Sequence, residues 1–208
     1  RHSATGRDAG EGRAGADLHT VGMFDRLALA PVTIGTTNLG KRESANAALA
    51  DAMIASERFP QIDTSNVYAA GESERFLGAA IARAGGLPAA KVVFTKVDPD
   101  PVSGAFDGDR VLRSFEESLQ RLDVDRLPLL HLHDPYGITL AEAMGPGGAV
   151  PALQRLKDEG LVDAIGIAAG QRSLVEDYVR TDAFDAVLTH NRYSLVDRSG
   201  ETIIRLAT

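Results

Sequence analysis

From Leu27 onward, six short apolar runs alternate with stretches whose apolar residues recur at helical spacing, and this alternation limits the chain to folds built from βα units. The runs at residues 32–36, 61–64, 92–97, 129–133, 164–167 and 186–190 read as strands. Between them, Ala45, Ala48, Leu49, Ala52 and Met53 form one helical stripe, and Phe76, Leu77, Ala80 and Ile81 a second. Val111, Phe115, Leu119 and Leu122 form a third, with Asp109 in place to cap its N-terminus. Leu153 and Leu156 mark a fourth helix that Gly160 ends, and Leu174, Tyr178 and Val179 mark a fifth. Ile203, Ile204 and Leu206 begin a sixth.

Two architectures share this pattern, the doubly wound sheet and the (β/α)8 barrel. The first βα turn, Gly35-Thr36-Thr37-Asn38-Leu39-Gly40, lacks the GxGxxG of a dinucleotide-binding doubly wound domain, and the polar residues cluster at strand ends. The expected fold is therefore an α/β, TIM-type barrel, with about six of its βα units over residues 27–208 and the last helix unfinished. Open sheet edges at either side would invite association with another chain. Residues 1–26 hold hardly any large apolar side chains and are expected to form a disordered arm or tag.

Composition narrows the partners. A formal net charge of -7 disfavours nucleic acid and anionic membrane, and no run approaches the ~18 apolar residues of a membrane span. Cytoplasmic placement is expected. With no cysteine, catalysis has to use oxygen and nitrogen groups.

Asp63, Tyr68, Lys96 and His133 fall at or just after the ends of three successive strands, where a barrel gathers its active site. Asp63-Thr64-Ser65-Asn66-Val67-Tyr68 followed by Gly71, Ser73-Glu74 and Leu77-Gly78 resembles the aldo-keto reductase motif DT-x-x-x-Y-x-x-G-x-SE-x-x-LG. Thr95-Lys96 resembles the family's TK, Ser114 to Leu122 its S-x-x-x-SL-x-RL helix, and LLHLHDP from Leu129 its fourth strand. The HDP variant and HNRYSLVD from His190 look most like the sugar-oxidising and pyridoxal-oxidising dehydrogenases.

This resemblance implies an NAD(P)(H)-dependent oxidoreductase acting on a small carbonyl or sugar substrate, with NADP preferred over NAD. Asp63, Tyr68, Lys96 and His133 would be catalytic. A phenol ordinarily titrates near 10, so a tyrosine that exchanges its proton at neutral pH needs a cation beside it, and Lys96 is that cation. Asp63 would hold Lys96, and His133 would hydrogen-bond and orient the substrate oxygen. Asn191, Thr36 and Asp63 are the expected cofactor contacts, with Asn191 preferred to His190 because an amide both donates and accepts. Tyr136, in a long loop that includes Gly145-Pro146-Gly147-Gly148, is an expected substrate contact together with His133. Where the family offers a Ser-Asn pair after the fifth strand, this chain has Ala168-Ala169.

Two other readings compete. His131 and His133 point the same way along a strand and, with His190, could ligate zinc, but that leaves Asp63 and Lys96 unexplained. No metal is expected, and His131 is read as a hydrogen-bonded core residue. The chain could also be a binding or regulatory module that keeps the reductase fold with little turnover.

Overall fold

The computed structural model describes residues 29–208, so the arm expected over residues 1–26 lies outside the described residues. Six strands run in sequence order, all parallel, as a curled half-barrel: β1 (Thr33–Gly35), β2 (Gln61–Asp63), β3 (Val92–Val97), β4 (Leu127–His133), β5 (Val162–Ala168) and β6 (Ala186–Leu188). Helices α1 (Asn46–Ala55), α2 (Glu72–Arg83), α3 (Gly108–Leu122), α4 (Leu140–Met144), α5 (Ala149–Asp158), α6 (Arg172–Val179) and α7 (Glu201–Leu206) fill the connections. The expected barrel-type architecture is the one observed.

Register sorts the strand side chains into two faces. Val93, Val97, Leu130, Leu132, Ile165 and Ile167 point outward into the main core, where they meet Leu77 and Ile81 of α2, Val111 and Phe115 of α3, and Leu153 and Leu156 of α5. The alternate residues point inward. Phe94, Leu129 and Ala164 form an apolar layer there. One step further along, Lys96 lies opposite His131 and His131 opposite Gly166. Gly166 is required at that place, since a Cβ on it would come within 2.5 Å of the His131 ring.

Helix α2 and helix α3 approach closely through Gly78, where an added Cβ would sit 2.0 Å from the Arg121 carbonyl oxygen. That contact explains the LG pair of the motif in packing terms.

Several boundaries differ from expectation. The N-cap of α3 is Asp107, not Asp109: its extended backbone lets the carboxylate accept from the Arg110 N–H at 2.9 Å. Asp109 sits instead in the first turn, where its charge faces the positive end of the helix. β4 starts two residues early and tolerates Pro128 because the ladder to β5 runs through Leu127 and Leu129. β6 stops at Leu188, short of His190, because its one ladder among the described residues is to β5 and that strand ends at Ala168. The long loop after β4 contains helix α4, closed by a capping box between Thr139 and Glu142. Gly145 to Gly148 is thus the joint between two helices, and a Cβ on Gly148 would lie 2.3 Å from the Glu142 carbonyl. No described helix is long and apolar enough to cross a membrane.

Candidate active site

Three strand ends and one turn bring the four expected catalytic residues to one mouth of the half-barrel. Asp63 ends β2, Lys96 lies near the end of β3, and His133 ends β4. Tyr68 begins the single turn Tyr68–Gly71, in which Ala69, Ala70 and Gly71 all adopt left-handed backbone (φ 51, 54 and 87°). For alanine this conformation costs roughly 1–2 kcal/mol per residue, so surrounding contacts must hold the turn. They do. Arg121 donates to the Asn66 carbonyl at 2.9 Å, Arg110 donates to the Asn66 side-chain oxygen at 3.1 Å, and the Asn66 amide donates to Glu117 and Ser114. The buried Glu74 accepts from Thr95 at 2.6 Å and pairs with Arg121. Burial holds the Glu74 carboxyl above its usual range, against the pull of Thr95, Ser118 and Arg121.

Lys96 is 1% exposed and its ammonium meets three acceptors: Asp63 Oδ2 at 2.6 Å, the Thr64 carbonyl at 2.5 Å and the Tyr68 hydroxyl oxygen at 3.3 Å. An ammonium has three protons, so all are committed. The ammonium also lies 4.8 Å from the Tyr68 ring centre. Burial raises the Asp63 carboxyl above its usual range and outweighs the lowering effect of Lys96 and His133, while Oδ1 of Asp63 has no hydrogen-bond partner among the described residues.

His133 faces the same space, edge-on to Tyr68 with ring centres 5.8 Å apart. Its Nδ1 lies 2.6 Å from Asp98 Oδ1 and 3.1 Å from Ser65 Oγ. Asp98 is 2% exposed and was not among the expected site residues. Lys96 lies in β3 and Asp98 is two residues on, one past the strand's end, so alternation puts both on the inward face, but only the pairing of β3 with β4 sets Asp98 beside His133.

Asp63, Tyr68, Lys96 and His133 line a cavity of about 740 Å³, together with Thr37, Lys41, Asp134, Ala168, Ala169, Leu188 and His190. The expected cofactor and substrate contacts divide differently. Thr36 is buried, with its hydroxyl donating to the Asp63 carbonyl and lying 2.9 Å from Ser73 Oγ; its neighbour Thr37 lines the cavity instead. Asn191 is exposed, in left-handed backbone (φ 60°), and outside the cavity lining, whereas His190 lines it and packs against Gly170. Tyr136 also lies outside the lining, and its hydroxyl accepts from the Gly170 N–H at 3.0 Å, which ties the β4 loop to the β5 loop. His131 is buried one layer below His133. Burial and the adjacent Lys96 push its pKa down to about 3, so the ring is neutral.

The family model for the aldo/keto reductases matches residues 31–208. The chain is 35% identical over 97 residues to a D-threo-aldose 1-dehydrogenase of a Pseudomonas species, covering 47% of this chain and 29% of that one. It is 33% identical over 139 residues to L-galactose dehydrogenase of Arabidopsis thaliana, covering 65% and 43%. Against pyridoxal 4-dehydrogenase of Microbacterium luteolum it is 32% identical, covering 45% and 29%. The chain thus spans less than half the length of these curated relatives. The holo aldo-keto reductase of Bacillus halodurans has the same fold, with a TM-score of 0.68 at 23% identity over 84% of this chain and 57% of that one. Family model, relatives and strand-end geometry agree: the chain belongs to the aldo-keto reductase family.

Proposed function

We propose that these residues form the proton-transfer half of an NAD(P)(H)-dependent oxidoreductase that interconverts a carbonyl (an aldehyde, a ketone or the lactone of a sugar) with the corresponding alcohol or lactol. One observation carries this reading. The Tyr68 oxygen accepts one of the three Lys96 protons, so its own O–H is free to point away from Lys96 and donate to a substrate oxygen in the cavity. A buried ammonium within hydrogen-bond distance of a phenol stabilises the phenolate left after that donation. Asp63 pairs with the ammonium and aims it. In the oxidative direction the same tyrosine oxygen takes the proton back.

The nicotinamide, when bound, supplies or accepts the hydride. The residues present suit a flat, largely apolar ring: Ala168, Ala169 and Leu188 offer small apolar surface beside Tyr68, and His190 borders it. The unpartnered Asp63 Oδ1 is an acceptor at the same mouth. Sugar or pyridoxal-like substrates follow from the dehydrogenases that the chain resembles. NADP is preferred to NAD.

The test is to mix the purified chain with NADP+ or NAD+ and either L-galactose or pyridoxal, and with NADPH or NADH and simple aldehydes, while following nicotinamide absorbance. Hydride transfer in at least one pairing is expected. Cofactor binding without transfer in any of them would favour the binding-module reading.

A further inference from the structure

We infer that Asn66 is a positioning residue for the proton-transfer step: it ties the turn that carries Tyr68 to the backbone of Lys96 and to one face of α3, and so sets the separation of the Tyr68 hydroxyl from the Lys96 ammonium. The inference rests on the proton-transfer reading of Tyr68 above. Tyr68 cannot set that separation itself. Its hydroxyl meets Lys96 at 3.3 Å, past the roughly 2.7–3.2 Å usual for such bonds, so a small retreat of the turn breaks the contact. Val67, the residue before it, is 45% exposed and belongs to no core cluster, although its N–H reaches Asp98 Oδ2 at 3.2 Å. Ala69, Ala70 and Gly71 follow in left-handed backbone, a strained run that relaxes if its near end is released.

Asn66, 5% exposed, is where the turn is held, and each of its polar groups is engaged. Its N–H donates to the Lys96 carbonyl at 3.2 Å, which joins the turn to β3 at the residue whose ammonium Tyr68 must meet. Its carbonyl accepts from Arg121 Nη1 at 2.9 Å, and its Oδ1 accepts from Arg110 Nη2 at 3.1 Å. The side-chain amide donates to the Ser114 carbonyl at 3.1 Å and to Glu117 Oε2 at 3.0 Å, with Ser118 Oγ 3.4 Å away. Residues 110, 114, 117, 118 and 121 recur at helical spacing, so one face of α3 is devoted to this residue. Chemistry fixes the orientation of the amide: a guanidinium only donates, whereas a peptide carbonyl and a carboxylate only accept. Burial pulls the Glu117 carboxyl up, but the bonds from Arg110 and Asn66 outweigh it and hold the group below its usual range, ionised at neutral pH. Aspartate at position 66 would therefore set a second carboxylate against Glu117. Arg121 also packs against Gly71 at the far end of the turn, where an added Cβ would sit 2.6 Å from its guanidinium carbon. Both ends of the turn thus close on α3.

The experiment compares Asn66→Ala with the parent chain. In tyrosine-13C-labelled protein, with the Tyr68 signals identified by their loss in Tyr68→Phe, nuclear Overhauser contacts from the Tyr68 ring to His133 and Lys96 are expected in the parent and weakened in the variant. On a substrate pair that the parent turns over, kcat is expected to fall about 10–100-fold with KM within about twofold, because the proton donor is misplaced while the rest of the cavity stays as it was. A merely structural asparagine would lower the urea midpoint and leave the ring contacts and kcat of the folded protein at parent values, and that result overturns the proposal. Asn66→Asp, equal in size, is expected to fare no better than alanine; parent-like kcat and contacts in it remove the amide from the role. For variants that do not fold, hydrogen exchange of the unsubstituted chain still decides the point. An Asn66 N–H that exchanges as slowly as the ladder N–H groups of β3 is expected, and one lost within minutes at neutral pH overturns the tie to Lys96. Failure of the oxidoreductase reading shows differently, as absent hydride transfer in the parent with the Tyr68 contacts still weakened in Asn66→Ala.

Discussion

The mouth at β2 to β4 and the mouth at β5 to β6 are built on opposite principles. In the first, Asp63, Lys96, Asp98 and His133 are charged or polar side chains placed in register and largely buried, each with a named partner. In the second, Ala168, Ala169 and Leu188 line the cavity with apolar side chains, Gly170 is buried next to Ala169, and His190 beyond them is exposed. Buried charge fixes geometry but makes stability depend on every partner. A surface of small residues accepts a ligand without that dependence. Chemistry and folding are therefore coupled at the first mouth and separable at the second.

The sharpest way to break this contrast is Lys96→Met, which leaves the Asp63 carboxyl buried without its cation. Removing one partner of a buried pair costs about 3–5 kcal/mol, and that loss is expected in urea unfolding along with loss of hydride transfer. A change below about 1 kcal/mol would show that the first mouth does not couple charge to folding.

His131 gives a pH-dependent version of the same test. Its pKa is about 3 folded and 6.5 unfolded, so between those values the unfolded chain binds a proton that the folded ring refuses. Stability from this group is full above pH 6.5 and falls as pH drops toward 3, by about 1.4 kcal/mol per unit. Asp63 and Glu74, both raised by burial, act in the opposite sense: the protection that they give at low pH is lost as pH rises through their folded pKa values. The difference between the parent chain and His131→Leu isolates the histidine. The variant is expected to lose the steeper acid limb in denaturation measured from pH 7 to pH 4.

At the second mouth effects should be small. Tyr136→Phe removes the acceptor of the Gly170 N–H at a half-exposed position (Tyr136 is 52% exposed), and about 0.5–1 kcal/mol is expected in thermal or urea unfolding. Gly170→Ala should leave stability within about 0.5 kcal/mol, because the new Cβ meets the far end of the exposed His190 side chain, 2.6 Å away, which can move. The same variant should weaken NADPH binding in a fluorescence titration, and a destabilised Gly170→Ala with normal binding would invert the comparison.

How much of this was legible in the sequence follows the same division. Asp63, Lys96 and His133 could be read because a strand end and a short motif place each of them locally. Asp98 could not be read as a partner of His133, since only the pairing of β3 with β4 brings residues 35 apart in sequence together. Asp107 and Asp109 are both plausible caps by composition, and the backbone angle at Asp107 decided between them. The capping box at Thr139 and Glu142 was visible as a T-x-x-E spacing and would have revealed α4. Thr36, Tyr136 and Asn191 were expected from the resemblance, with Asn191 preferred to His190 for its amide. The first two have their hydroxyls engaged with the protein, and the third is turned out of the cavity lining by the path of the chain after β6, which local sequence does not encode.

The account rests most heavily on the Tyr68 hydroxyl as the group that moves a proton. Tyr68→Phe keeps the ring, its edge-on contact with His133 and its place above Lys96, and removes only the oxygen. Measured by nicotinamide absorbance on a substrate pair that the parent chain turns over, the variant is expected to lose about 10²–10⁴-fold in rate while binding cofactor normally. Turnover within a few-fold of the parent would contradict the central claim.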